Sequence, residues 1–197
     1  MEPQRISKSF VYGTVAVWLG DEVTSEFTHR WCAFVRGVGS DMAAYVRKVE
    51  FHLHPSFPEP VRTVTSYPFQ IEERGWGEFE IIIKVYFRDV SLKPVEMYHM
   101  LKLFELDDGG MKIVQSKPVL RETFDQFVFS SPSPAFAHLL TTAAATSSPV
   151  HSLLAARVNA LEEAQLDQLQ QTAEGISSEI EELHDKHRQH DREIRRG

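Results

Sequence analysis

The chain has 197 residues, 42% of them hydrophobic and 25% charged, with a formal net charge of −7, which fits one packed domain plus an appendage. The acidic balance and the lack of a concentrated basic block exclude a general nucleic-acid binder and suit a basic partner. A lone cysteine, Cys32, excludes an internal disulfide, and neither an N-terminal apolar core nor a run of about eighteen apolar residues is present, so an intracellular protein without a membrane span is expected.

Residues 10–19, Phe-Val-Tyr-Gly-Thr-Val-Ala-Val-Trp-Leu, are rich in β-branched and aromatic types and stop at Gly20-Asp21, which predicts a strand and a turn. Beyond a polar loop, Trp31, Ala33 and Val35 alternate with Arg30, Cys32, Phe34 and Arg36 in a second strand bounded by Gly37 and Gly39. In a third, Tyr45, Val49, Phe51 and Leu53 share one side, and only Arg47 intrudes on it. The stretch His54-Pro55-Ser56-Phe57-Pro58-Glu59-Pro60 is too proline-rich for a central strand and predicts a rigid extended loop.

Further strands are expected at 61–65 and 69–72, the two separated by a turn at Tyr67-Pro68. Residues 79–88 predict a long strand whose run Ile81-Ile82-Ile83 should lie deep in the core. Strands at 94–104 and 117–129, separated by the Asp107-Asp108-Gly109-Gly110 turn, bring the total to about seven or eight and indicate an all-β sandwich over residues 8–129.

Residues 130–150 form a linker rich in Ser, Thr, Ala and Pro, with a brief helical pattern at 135–140. Residues 151–196 contain no proline or aromatic residue and predict one long helix. Within it Leu169, Ala173, Ile176, Ile180, Leu183, His187, His190 and Ile194 are spaced alternately by four and three, the seam of a coiled coil. His184, His187 and His190 read as polar seam positions that weaken or tune the coiled coil, with too few ligand types for a metal site. Ser131, Ser133 and Ser148 each precede proline and offer sites for a phosphate charge switch.

One stretch calls for a binding role. In Gly75-Trp76-Gly77-Glu78-Phe79 a large aromatic stands between glycines, where the backbone can take unusual conformations and another chain can approach closely. The loop carrying His54, Ser56 and Phe57 is the stiff partner that could face it. Ser56 and His54 do not read as a catalytic pair, because no carboxylate is placed to orient the histidine and no nucleophile-elbow sequence surrounds the serine.

Taken in order, Tyr12-Gly13, Thr28-His29-Arg30-Trp31, Val49-Glu50-Phe51-His52-Leu53-His54, Ser56-Phe57, Gly75-Trp76-Gly77-Glu78-Phe79 and Tyr98-His99-Met100-Leu101-Lys102-Leu103-Phe104 resemble the YEATS domain. The Trp-Gly-Glu-Phe loop and the C-terminal coiled coil look most like the subgroup shared by histone-acetyltransferase and histone-variant exchange complexes. The resemblance implies an immunoglobulin-like β-sandwich and a nuclear, non-enzymatic, cofactor-free reader of acylated lysine, acetyl or crotonyl, on histone H3 tails.

By the same resemblance, Phe57 and Trp76 sandwich the acyl group while His54 and Phe79 complete the walls. Ser56 accepts from the lysine amide, the Trp76 N–H donates to the acyl carbonyl, Gly75 and Gly77 make room, and Phe27 stands nearby. Pro55 stands where many relatives have glutamate, and Phe27 where some coiled-coil members have histidine. Residues 151–196 are expected to join subunits of histone acetyltransferase or chromatin-remodelling complexes, or a second copy of the chain. The alternative is a histone-binding scaffold indifferent to acylation.

Physical chemistry points the same way. Acylation turns a cationic ammonium into a neutral planar amide, which suits aromatic faces and two hydrogen bonds better than an acidic pocket.

Overall fold

The computed structural model describes residues 5–20, 23–24, 27–106, 112–113 and 118–143. Its strands, in chain order, are β1 (Arg5–Trp18), β2 (His29–Gly37), β3 (Val46–His52), β4 (Val61–Val64), β5 (Phe69–Gly75), β6 (Glu80–Phe87), β7 (Val95–Met100), β8 (Glu105–Leu106), β9 (Lys112–Ile113) and β10 (Val119–Ser130), followed by helix α1 (Pro134–Thr142). Two four-stranded sheets, ordered β10-β1-β2-β5 and β4-β3-β6-β7, form an all-antiparallel sandwich, and β8 pairs with β9 apart from them.

Period-two patterning builds the core. Trp31, Ala33 and Val35 of β2, with Phe10 and Ala16 of β1, meet Val49, Phe51, Ile81, Ile83 and Val85 from the other sheet in one buried cluster. The isoleucine run is only partly in that core. Ile81 and Ile83 are fully buried, but Ile82 points to the outer face, paired across the sheet with His52 and Tyr98. A strand covered on one face alternates even where its sequence does not.

β1 begins at Arg5, five residues before the apolar pattern, because Arg5 through Ala16 pair continuously with β10. Arg47, the intruder on the apolar side of the third strand, marks a shift of register between Val46 and Lys48 and is exposed. The extra residue lets Val46 and Val49 both face inward.

The helical pattern at 135–140 is the centre of α1, where Ser133 caps the helix and Pro134 occupies its first turn. Phe136 and Leu140 are buried, the former edge-on to Phe129 at 5.2 Å, so the apolar core continues past Ser130. The expected turn at 107–110, the heptad segment 151–196 and Ser148 lie outside the described residues.

Pairing of His29 with Gly75 and of His52 with Ile82 brings the C-terminal ends of β3 and β5 and the N-terminal ends of β2 and β6 to one end of the sandwich. The β3–β4 and β5–β6 loops leave from that end.

Candidate functional site

The β3–β4 loop is shaped by its own hydrogen bonds. Leu53 N–H donates to the Pro60 carbonyl at 2.7 Å and closes the base, and Phe57 N–H donates to the His54 carbonyl at 3.0 Å to make a four-residue turn. Pro55 is the second residue of that turn, the position for which the fixed φ of proline is suited.

His54 Nδ1 accepts from the Ser56 N–H at 3.2 Å and lies 2.9 Å from Ser56 Oγ. A ring nitrogen that accepts a backbone N–H carries no proton, so the Ser56 hydroxyl is the donor in the second contact. Its lone pairs are left to accept from elsewhere. Among the described residues no carboxylate bonds to His54.

The β5–β6 loop is fastened at both ends. At its start Thr28 holds the Gly75 carbonyl, through its N–H at 3.2 Å and its hydroxyl at 3.3 Å. At its end the Glu78 carboxylate accepts from Leu103 N–H at 2.9 Å, Phe104 N–H at 3.4 Å and Lys102 Nζ at 3.1 Å. Burial alone would raise the Glu78 pKa, but these bonds outweigh it and hold the carboxyl below its ordinary value.

Neither Gly75 nor Gly77 adopts a positive φ; among the described glycines only Gly20 and Gly39 do. The expectation of unusual backbone conformations around Trp76 is therefore corrected. A β-carbon on Gly75 would touch Trp31 Nε1 at 3.5 Å and Phe57 Cζ at 3.8 Å, and one on Gly77 would meet nothing within 4 Å.

The two loops meet across a cavity of about 560 Å³. Phe27, His54, Ser56 and Phe57 border it together with Gly75, Trp76, Gly77 and Phe79, so all eight residues singled out in the sequence converge there. Phe57 and Phe79 pack at 5.5 Å, His54 lies 6.1 Å from Phe79, and the buried Trp31 stands edge-on beneath both phenylalanines at 6.0 and 5.8 Å. Trp76 is 67% exposed, and no described ring packs on it.

Pro58, Arg74 and Glu78 also border the cavity and carried no role in the sequence reading. Glu78 matters electrostatically. Its negative charge is offset by the Lys102 ammonium at 3.1 Å, and Arg74 opposes a cationic ligand.

Beneath the loop, His29 is 2% exposed and its pKa is lowered, chiefly by burial, against the raising field of Glu78. Cys32 is buried in β2 with its thiol pushed upward by burial, which suits a packing residue.

Residues 26–105 match the model of the YEATS family. A "Protein AF-9 homolog" of Eremothecium gossypii is 34% identical over 194 residues, covering 92% of this chain and 90% of its own length. The "Transcription initiation factor TFIID subunit 14b" of Arabidopsis thaliana is 44% identical over 133 residues, and the match spans 66% of this chain and about half, 49%, of the plant protein. Among solved structures, the "Yaf9 YEATS domain bound to H3K27ac" superposes with a TM-score of 0.63 at 34% identity, over 72% of this chain and 97% of that one.

Proposed function

The chain belongs to the YEATS family, and on that premise we propose that it reads acylated lysine on the histone H3 tail through the cavity between the β3–β4 and β5–β6 loops. The observation that carries the reading is that an exposed Trp76 and a packed pair of Phe57 and Phe79 border one cavity. A flat neutral group entering there lies between aromatic faces. Its amide finds the Ser56 oxygen as acceptor and the Trp76 N–H as donor; no described residue takes that N–H. Both polar halves of the acyl amide are thus satisfied when it leaves water, and a bare ammonium, facing Arg74 and a Glu78 already paired with Lys102, is not. The solved complex of a family member with an H3K27ac peptide supports the same ligand class.

The protein acts by binding, without catalysis, and its place is the nucleus, where acylated histone tails are found. The heptad stripe at 169–194 joins it to subunits of a histone acetyltransferase or chromatin-remodelling complex, or to a second copy of itself. The naming of relatives as AF-9 homologues and as a transcription initiation factor subunit supports that role.

Titration of the protein with matched acetylated, crotonylated and unmodified H3 peptides tests the reading. Binding to the acylated peptides should be weak, on the order of 10–100 µM, since a flexible tail must be ordered on binding. Equal affinity for all three peptides would overturn the proposal in favour of an acylation-independent scaffold.

A further inference from the structure

The Trp76 N–H and the Gly75 carbonyl belong to one peptide group, and that group is held from behind. The Gly75 oxygen accepts both the N–H and the hydroxyl of Thr28. The Thr28 oxygen also lies 2.9 Å from His29 Nδ1, which is the donor to it in the tautomer that leaves the hydroxyl proton for Gly75. His29 is itself fixed, buried in the sandwich and edge-on to Phe104 at 4.8 Å.

A trans peptide directs its N–H opposite to its C=O, and the Gly75–Trp76 bond is trans. Fastening the carbonyl to the start of β2 therefore aims the Trp76 N–H away from β2. The same bonds act on donor strength, because hydrogen bonds in series polarise one another and a carbonyl that already accepts leaves its amide N–H more acidic.

We infer that Thr28 and His29 are positioning residues that aim and strengthen the Trp76 N–H as donor to the acyl carbonyl, an inference that rests on the acyl-lysine reading of the cavity. Neither residue borders the cavity, so their effect is transmitted through the Gly75–Trp76 peptide.

Thr28→Val keeps the shape and the backbone N–H and removes the hydroxyl, whereas Thr28→Ser keeps the hydroxyl. The full chain is titrated with an H3-tail peptide carrying one acetyl-lysine and with its thioacetyl twin, whose sulfur is the weaker acceptor. Thr28→Val should weaken acetyl binding by about tenfold and bring the acetyl and thioacetyl affinities together, while Thr28→Ser stays within about twofold of the wild type for both. In the ligand-free protein, the Gly75 carbonyl ¹³C and Trp76 amide proton resonances should move in Thr28→Val and hold in Thr28→Ser.

Equal losses in both variants, an undiminished preference for acetyl over thioacetyl in Thr28→Val, or unmoved Gly75 and Trp76 resonances would each overturn the inference. Absence of acetyl-lysine binding by the wild type would overturn the functional reading, and the resonances would then still decide whether Thr28 sets the peptide.

Discussion

Phe57 Cζ lies 3.8 Å from the point where a β-carbon on Gly75 would stand, so the two loops touch at a position without a side chain. That distance is ordinary van der Waals contact. Gly75→Ala should therefore fold with a stability change within about 1 kcal/mol, read by chemical denaturation. Gly75→Leu should fill the junction and lower acyl-lysine affinity more than tenfold, by about 1.4 kcal/mol or more.

Trp76→Ala separates binding from folding. The residue is 67% exposed and its ring supports no other described ring, so the melting temperature should stay within about 2 °C of wild type. Affinity for an acetylated H3 peptide should fall by at least about tenfold, because one aromatic face of the cavity is lost. Calorimetric titration beside a thermal melt reads both. A parallel loss of stability and binding would show that the ring is structural.

Glu78→Gln should loosen the loop at its far end. A neutral amide accepts more weakly than a carboxylate and loses the attraction of Lys102, so a cost of about 1–2 kcal/mol in stability is expected. The pH dependence has a definite sign. The Glu78 pKa is lower in the folded chain than its ordinary 4.5, so its stabilisation is present above that value and is lost as pH falls through the folded pKa. Glu78→Gln should flatten that acid limb of the stability curve.

His99 predicts a second acid sensitivity. It is 7% exposed, bonds Thr14 Oγ1 through Nε2 at 3.0 Å across the sandwich, and meets the edge of Tyr12. Burial lowers its pKa from 6.5, so below pH 6.5 the unfolded chain binds the extra proton more readily than the folded one. Stability should be full above 6.5 and decline as pH drops toward the lowered value. His99→Gln, which retains a polar group near the Nε2 position, should reduce that decline in urea titrations between about pH 7 and 5.

Gly13→Ala should be the most damaging of the small substitutions. An added β-carbon would lie 2.2 Å from the Arg121 carbonyl oxygen and 2.9 Å from Glu122 Cα, both backbone atoms of β10. The strands must part, at a cost of about 2 kcal/mol or more in equilibrium unfolding.

Much of the site was legible because it is local. Trp76 between glycines, and His54, Ser56 and Phe57 among prolines, each lie within a few residues of one another, and Pro55 announced a stiff turn. The Arg47 interruption in an alternating strand was a visible trace of the β3 register shift. What was not legible is long-range and polar. Thr28 reaches Gly75 over 47 residues and Glu78 reaches Leu103 over 25, and neither contact leaves a periodic mark. The burial of Ile81 and Ile83 without Ile82 was hidden for another reason: three identical residues conceal the alternation that the sheet imposes.

Fastening the loop at Gly75 and Glu78 leaves Trp76 and Gly77 as the stretch between two fixed points. Few torsions then remain to be frozen when a ligand arrives, and encounter should resemble docking onto a prepared surface, with an association rate of about 10⁵–10⁷ M⁻¹s⁻¹ that changes little from one acyl group to the next. Discrimination among acyl chains should therefore be written almost wholly into residence time.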